Sequence, residues 1–397
     1  MIVKAASRQP FFIALSLLLQ NMKIAVNTRL MLRGKLDGIG WFTHEIMSRM
    51  VHMHPEHEFH FIFDRPFATE FVFAPNVHAH VLPPQARHPW LFRIWYNWML
   101  PRKLKQIGAD VFVSPDMMLS LRTSCKQIVV LHDLNFEHYP HDLPSHISMY
   151  LRKFTPQFAA RAKSIVTVSE FSKQDIVAQY AIDPSKIHVV YNAAQNAFKV
   201  LTVAERIEVR NHWSQGKEFF VFISSIHPRK NLQRLLLAYD QYRTQTGSDI
   251  KLLAVGRRFW KNEVLDKTLR EMQFGSDVVF TGHLEQEELT LVLGAALALV
   301  YVSYFEGFGV PIVEAFQCGV PVITSNVSSM PEVAGDAALL VDPLSVEEIA
   351  SAMQRVSSDS ALRGVCIEKG FVRAKAFSWD DSAERFWDVI QTTVSKK

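Results

Sequence analysis

From residue 23 onward, short runs rich in Val, Ile and Phe alternate with longer stretches whose apolar residues recur at helical spacing. Such runs, bounded by polar and turn-forming residues, read as buried strands, and their alternation with helices is the pattern that builds parallel sheets. Strands are expected at 23–28, 59–64, 77–82, 110–114, 127–133, 164–169 and 187–191 in the first half. In the second half they are expected at 219–225, 250–255, 277–282, 297–303, 320–324 and 337–341. Helices are expected at 41–53, 145–162, 231–242, 286–294, 311–317 and 346–356. A last helix over 379–393 sets Phe386, Trp387 and Ile390 at the spacing needed to dock on a neighbouring surface. The series predicts an α/β fold of two doubly wound units, divided in the polar segment 192–217. A ligand is expected between them, at the carboxyl ends of the strands.

The length of 397 residues suits two domains of similar size. Hydrophobic residues at 48% and charged residues at 21% describe a folded globular protein and exclude a disordered chain. A net charge of +4 is too small to indicate nucleic acid, and it suits an anionic ligand or a membrane surface equally well. Cys125, Cys318 and Cys366 have no metal-ligand spacing and form no disulfide framework, which fits a reducing cytoplasm. Ahead of the first strand, the apolar run 11–19 behind Lys4 and Arg8 is too short to span a bilayer. Met22 reads as a start methionine directly before that strand, so 1–21 is expected to be a non-structural extension. A signal peptide and a monotopic anchor are the competing readings.

The chemistry concentrates in Tyr304-Phe305-Glu306-Gly307-Phe308-Gly309-Val310-Pro311-Ile312-Val313-Glu314-Ala315, which follows an apolar strand and opens a helix. Gly307 and Gly309 let the backbone approach a ligand, and Pro311 suits the first helical position. Free amides around Pro311 then face an anion at the positive helix end. Glu306 and Glu314 flank this anion site and can accept from hydroxyls on the same ligand; polyhydroxyl plus phosphate describes a nucleotide sugar. In Ser224-Ser225-Ile226-His227-Pro228-Arg229-Lys230-Asn231-Leu232, two adjacent cations at a strand end suit a diphosphate, or form a solvated basic turn. Asp37-Gly38-Ile39-Gly40-Trp41-Phe42 is a glycine-rich turn able to cradle phosphate. His132 and Asp133 close the fifth expected strand, where their side chains would emerge toward the cleft.

The first string, with the trailing Cys318-Gly319-Val320-Pro321-Val322-Ile323, resembles the Glu-x7-Glu motif of the retaining GT-B glycosyltransferases of family 4. The segment around Lys230 resembles that family's Pro-Arg-Lys-Asn-Leu signature. Gly38-Ile39-Gly40-Trp41 resembles its Gly-Ile-Gly-aromatic loop, and His132-Asp133-Leu134 its His-Asp-Leu motif. Further landmarks at Val168–Lys173, Val189–Asn192 and Val279–Leu284 extend the resemblance from about Lys23 to Trp379. It implies a GT-B fold, two Rossmann-like doubly wound domains facing across a cleft. The expected division is 22–200 for the acceptor-side domain, 201–378 for the nucleotide-sugar-binding domain and 379–397 for a helix packing back toward the first. It also implies Glu306, Lys230 and His132 as catalytic residues. Donor-binding residues would be Gly38, Gly40, Arg229, Gly307, Phe308, Gly309, Val310 and Glu314, with Asp37 and Asp133 orienting groups or binding acceptor. Many relatives have an arginine where this chain has Ser225, so the second positive charge at the diphosphate falls to Arg229 or to the other domain.

No two aspartates are separated by a single residue, so the Asp-x-Asp diphosphate-metal site is missing and transfer without metal or cofactor is expected. The resemblance implies retention of configuration by front-face displacement, with a glycan or lipid-linked acceptor and a role in bacterial surface-polysaccharide synthesis. The signature type points to mannose and GDP-mannose, with a UDP-sugar as the alternative donor. A GT-B epimerase or phosphorylase and a non-catalytic nucleotide-sugar binder are the rival classes. Between Arg87 and Lys105, Trp90, Trp95, Tyr96 and Trp98 are interleaved with Arg93, Arg102 and Lys103. This stretch reads either as a core helix or as a contact with anionic membrane, the latter placing a cytoplasmic enzyme peripherally on the inner face.

Overall fold

The computed structural model describes residues 21–257 and 263–395. The expectation for 1–21 falls, apart from Asn21, outside the described residues.

Seven strands form the first sheet: β1 (Lys23–Asn27), β2 (Glu58–Phe63), β3 (Val77–Val81), β4 (Val111–Ser114), β5 (Lys126–Val130), β6 (Ser164–Thr167) and β7 (Ile187–Val189). Six form the second: β8 (Phe219–Ile223), β9 (Lys251–Val255), β10 (Val278–Gly282), β11 (Ala298–Tyr301), β12 (Val322–Ser325) and β13 (Leu339–Val341). Every pairing is parallel, in the orders β3-β2-β1-β4-β5-β6-β7 and β10-β9-β8-β11-β12-β13. Parallel sheets are covered on both faces, which is why β8, with the sequence FFVFI, is buried at every position. Each expected apolar run overlaps one of these strands, β2 and β5 starting one residue before the run and β12 ending one residue after it. Several stop short at the carboxyl end, as β11 does at Tyr301, because the chain leaves the ladder there to form the loops of the cleft. In each sheet the winding reverses once, between β1 and β4 and between β8 and β11. Ligands of doubly wound sheets lie at such reversals.

Six helices position the site: α1 (Gly38–Met53), α2 (Glu170–Tyr180), α3 (Val203–Ser214), α4 (Val310–Gln317), α5 (Ser360–Ala374) and α6 (Trp379–Ser395). The polar segment 192–217 is not simply a linker, since it holds α3. Thr202 and Glu205 start that helix with a capping box: Glu205 N donates to Thr202 Oγ1 at 3.2 Å, and Thr202 N donates to Glu205 Oε2 at 2.7 Å.

The chain crosses back at Phe377–Trp379, and α6 lies against α1 and β4–β6 of the first sheet. Phe386 and Trp387 are buried, the Trp387 ring stacking on His54 with centroids 3.7 Å apart. Arg49 Nε donates to Asp380 Oδ1 at 2.6 Å across the same seam. Burying each such aromatic stabilises the docked helix by about 2–3 kcal/mol, far more than the exposed ion pair does. One apolar core is continuous from Val26 and Val113 under the first sheet to Phe308 and Ile312 under the second.

Candidate functional site

Lys230 and Glu306 stand on the loops that leave β8 and β11, on either side of the second sheet's reversal. The loop after β8 makes a tight helical turn over Pro228–Lys230 and is stopped by Asn231 at φ 61. Asn231 Nδ2 donates to the Val302 carbonyl at 2.9 Å and to that of Pro343 at 2.6 Å, and Tyr304 N donates to the Arg229 carbonyl at 3.0 Å. The two loops are thereby one rigid unit. Glu306 is 5% and Lys230 8% exposed. Lys230 Nζ donates to Glu306 Oε1 at 2.5 Å, and Arg229 Nη1 donates to Glu306 Oε2 at 2.6 Å and to the Phe305 carbonyl at 3.0 Å.

This burial and pairing fix the charges. Burial alone would raise the Glu306 carboxyl, but Arg229 and then Lys230 overcome it and hold the group at about 2. The Lys230 ammonium is pushed down to about 8 by burial and by Arg229, which repels it and shares its carboxylate; Glu306 opposes the shift without cancelling it. Arg229 is pushed down by burial but raised further by Glu306, and stays charged. The second positive charge beside Lys230 is therefore Arg229, while Ser225 is exposed.

Gly309, whose φ of 106 favours glycine, is the N-cap of α4, and Val310 is its first residue; Pro311 occupies the second position, not the first. Gly307 is placed by contact: a Cβ there would lie 2.1 Å from the His132 carbonyl oxygen, across the cleft. The Gly307 carbonyl accepts from Ser169 Oγ at 2.7 Å and Ser172 Oγ at 3.3 Å. Phe308 offers only backbone to a ligand, since its side chain is buried against Tyr191 and Phe377. Glu314 lies one turn into α4, its carbonyl accepting from Cys318 N at 3.1 Å, and burial pushes its carboxyl up to about 8.

In the first domain His132 follows β5. Its Nε2 lies 2.9 Å from the Pro115 carbonyl, which can only accept, so Nε2 carries the proton. Burial lowers the imidazole, so near neutral pH the ring is uncharged and Nδ1 keeps a lone pair. Phe42 packs edge-on against it at 5.1 Å. Asp37 serves as N-cap of α1, accepting from Gly40 N at 2.9 Å; Gly40 is buried so closely that a Cβ there would lie 2.9 Å from the Leu30 carbonyl oxygen, whereas Gly38 is exposed beside open space. Asp133 accepts from Asn135 N at 3.1 Å and lies beside Gly307. The loops of Glu306 and His132 thus meet through Gly307, with the start of α1 on the same edge of the first sheet. Ser169 is both the N-cap of α2 and the group that grips Gly307.

Two features of the site carry little signal in the sequence. Tyr301, 2% exposed, places its hydroxyl between Lys230 and Glu306; a phenol in a buried strand needs a partner, and that is the signal that could have marked it. Arg29, Tyr96 and Asp116 form a buried network at the ends of β1 and β4, where Asp116 accepts from Tyr96 at 2.8 Å and pairs with Arg29, beside the Pro115 carbonyl that holds His132.

Residues 36–195 match the family model described as Glycosyltransferase Family 4, and residues 203–373 match Glycosyl transferases group 1. The O-antigen chain mannosyltransferase B of Escherichia coli is 28% identical over 87% of this chain and 93% of its own. A serotype-specific mannosyltransferase, WbdA of E. coli, is 28% identical over 68% of this chain, which spans 34% of that longer protein. Among solved structures, Anabaena HepE in complex with UDP and glucose superposes with a TM-score of 0.73 at 16% identity, covering 94% of this chain and all of that one. The protein belongs to glycosyltransferase family 4: it is a glycosyltransferase of GT-B fold, related to the bacterial O-antigen mannosyltransferases and to polysaccharide synthesis.

Proposed function

We propose that this enzyme transfers mannose from GDP-mannose, with retention and without a bound metal, to a glycan or lipid-linked acceptor in bacterial surface-polysaccharide synthesis. The observation that carries the reading is the buried Glu306–Lys230–Arg229 cluster at the sheet reversal, facing His132 across Gly307. Donor binding exchanges partners: the diphosphate takes the cations and the α4 amides, and sugar hydroxyls donate to Glu306, freed from Lys230. The bond from the anomeric carbon to phosphate oxygen breaks with its electron pair on phosphate. The acceptor oxygen bonds to the same face, and its proton passes to the departing phosphate oxygen. Lys230 and Arg229 stabilise the charge that grows there, in a site where preorganised charge is worth far more than in water. Nδ1 of His132 can accept from a hydroxyl of the sugar.

Mannose rests on the mannosyltransferase relatives; the UDP and glucose held by the Anabaena neighbour make a UDP-sugar the second reading. A thermal-shift panel of nucleotide sugars, followed by transfer assays in EDTA and NMR of the product's anomeric centre, separates them. GDP-mannose is expected to stabilise most and to give an α-linked product in EDTA. A larger shift and turnover with a UDP-hexose would reverse the donor, and strict need for magnesium would reverse the metal-free chemistry.

We place the enzyme in the cytoplasm, peripherally on anionic membrane. Among the described residues no helix is long and apolar enough to cross a bilayer. The stretch 87–105 divides: Trp95 and Tyr96 are buried, while Trp90 is 62% and Trp98 49% exposed. The Arg122 guanidinium lies 4.1 Å from the Trp98 ring centroid, and Arg93, Arg102 and Lys105 are exposed nearby in sequence. Exposed indoles within a basic surface suit the headgroup region. Exchanging Arg102, Lys105 and Arg122 for Glu is expected to abolish co-sedimentation with phosphatidylglycerol vesicles; unchanged sedimentation rejects this face.

A further inference from the structure

Tyr301 ends β11, with its backbone held by Thr324 Oγ1, which donates to its carbonyl at 2.8 Å. The ring lies under Lys230, whose Nζ is 5.3 Å from the centroid, and against Gly309 of the donor loop. Its hydroxyl accepts from Lys230 Nζ at 2.9 Å and donates to Glu306 Oε1 at 2.8 Å. A phenol has one proton to give, so these two bonds set both directions: lysine to tyrosine, tyrosine to glutamate. The same buried group is therefore bonded to both members of an ion pair that is closed on itself at 2.5 Å.

That closure creates a difficulty for transfer. On the placement of the donor at Glu306 and Lys230, the pair has to part, the ammonium turning to the diphosphate and the carboxylate to sugar hydroxyls. A buried charge that loses its partner is costly, and the cost would fall at the moment of donor engagement. The Tyr301 hydroxyl, already acceptor for one and donor to the other before the exchange, would give each a partner that need not be given up as the pair parts. Its position at the end of a central strand keeps it fixed while the Lys230 and Glu306 side chains turn.

We infer that Tyr301 is a positioning residue for sugar transfer: its hydroxyl holds Lys230 and Glu306 in register as they change partners from each other to the donor. The inference rests on the proposed donor site, and the two are separable by experiment. Tyr301→Phe keeps the ring and the packing at Gly309 and removes only the hydroxyl. It is expected to lower kcat by about ten- to a hundredfold while the donor KM changes by less than about threefold, because register matters most when charge develops. A merely structural tyrosine would lower the melting temperature and leave kcat intact, and that result overturns the inference. Glu306→Gln and Lys230→Met are measured alongside. Retained activity in those variants defeats the site, whereas their loss of activity beside a fully active Tyr301→Phe defeats only the role of Tyr301. Should Tyr301→Phe fail to fold, 3-fluorotyrosine at position 301 keeps the shape but makes the hydroxyl a weaker acceptor. Its fluorine resonance is expected to move on adding GDP or UDP, with a lower kcat. An unmoved resonance together with unchanged kcat overturns the inference equally.

Discussion

The charge on Lys230 is the most exposed to test at the level of single residues. Burial and Arg229 hold its ammonium at about 8, so it is charged at neutral pH and discharges as pH rises past that value. A neutral amine cannot balance a departing diphosphate, and kcat/KM is expected to fall above about pH 8 in step with this group. Glu306 behaves in the opposite sense. Its folded value of about 2 lies below the ordinary carboxylate value of 4.5, so its contribution to stability is complete above 4.5 and is lost as pH falls from there toward 2. In Glu306→Gln the cations lose their anion, the alkaline limb moves to lower pH, and turnover drops by about a hundredfold or more. A pH–rate series on both proteins checks this; a limb that stays in place in the variant breaks the link between the two residues. These residues were readable in the chain because each sits in a string whose glycines, proline and charges have one joint explanation. Tyr301 was not, since one tyrosine in an apolar strand looks like core until its hydroxyl is seen to have charged partners.

Elements set the register of these side chains, and Gly307 shows how tightly. A Cβ at Gly307 would meet the His132 carbonyl at 2.1 Å and Asp133 Cβ at 3.1 Å, so Gly307→Ala forces the donor loop and the β5 loop apart. The cost is expected at about 1–3 kcal/mol of stability, with loss of transfer. At Gly38 an added Cβ meets nothing within 4 Å, so Gly38→Ala should leave the melting temperature within a degree or two of wild type, about 0.5 kcal/mol or less. Differential scanning calorimetry of the two variants decides, and equal effects would show that crowding at Gly307 is not what places the loop. Strands were legible because parallel sheets demand unbroken apolar runs. α3 is hard to read from the sequence although Thr202 and Glu205 carry its capping signature, because its few buried positions weaken the apolar period. In the stretch 87–105 the π-helical turn Trp95–Met99 interrupts the helical period, so spacing alone could not tell that Trp95 faces the core and Trp98 the solvent.

At the scale of the whole molecule, two doubly wound halves were visible in the alternation of strands and helices, but what fastens them was not, because it is made by residues far apart in sequence. Tyr304 donates to Asp142 at 2.5 Å, and Phe305 packs against His138 and Phe171. A further tie is Glu332 of the second domain, whose two carboxylate oxygens accept from Glu170 N at 2.8 Å and Phe171 N at 2.9 Å, the first amides of α2 in the other domain. Ser169 takes the next amide, Ser172 N, at 3.0 Å, so a carboxylate from across the cleft completes the cap of this helix. Arg373 in turn donates to the Glu332 and Val333 carbonyls, bracing the segment that carries the tie. An N-cap contact contributes about 0.5–2 kcal/mol, and a negative charge at the positive helix end adds to it. Removing such a tie shifts a balance between closed and open arrangements by roughly two- to thirtyfold. Glu332→Ala is therefore expected to raise the donor KM, because part of the binding energy is then spent on closing the cleft, while kcat of the closed complex changes little. Glu332→Gln keeps one acceptor and should fall between. Small-angle scattering supplies the independent readout: the free Glu332→Ala protein should be more extended than wild type and return to the wild-type radius at saturating donor. If radius and KM both stay at wild-type values, Glu332 caps α2 without holding the domains together.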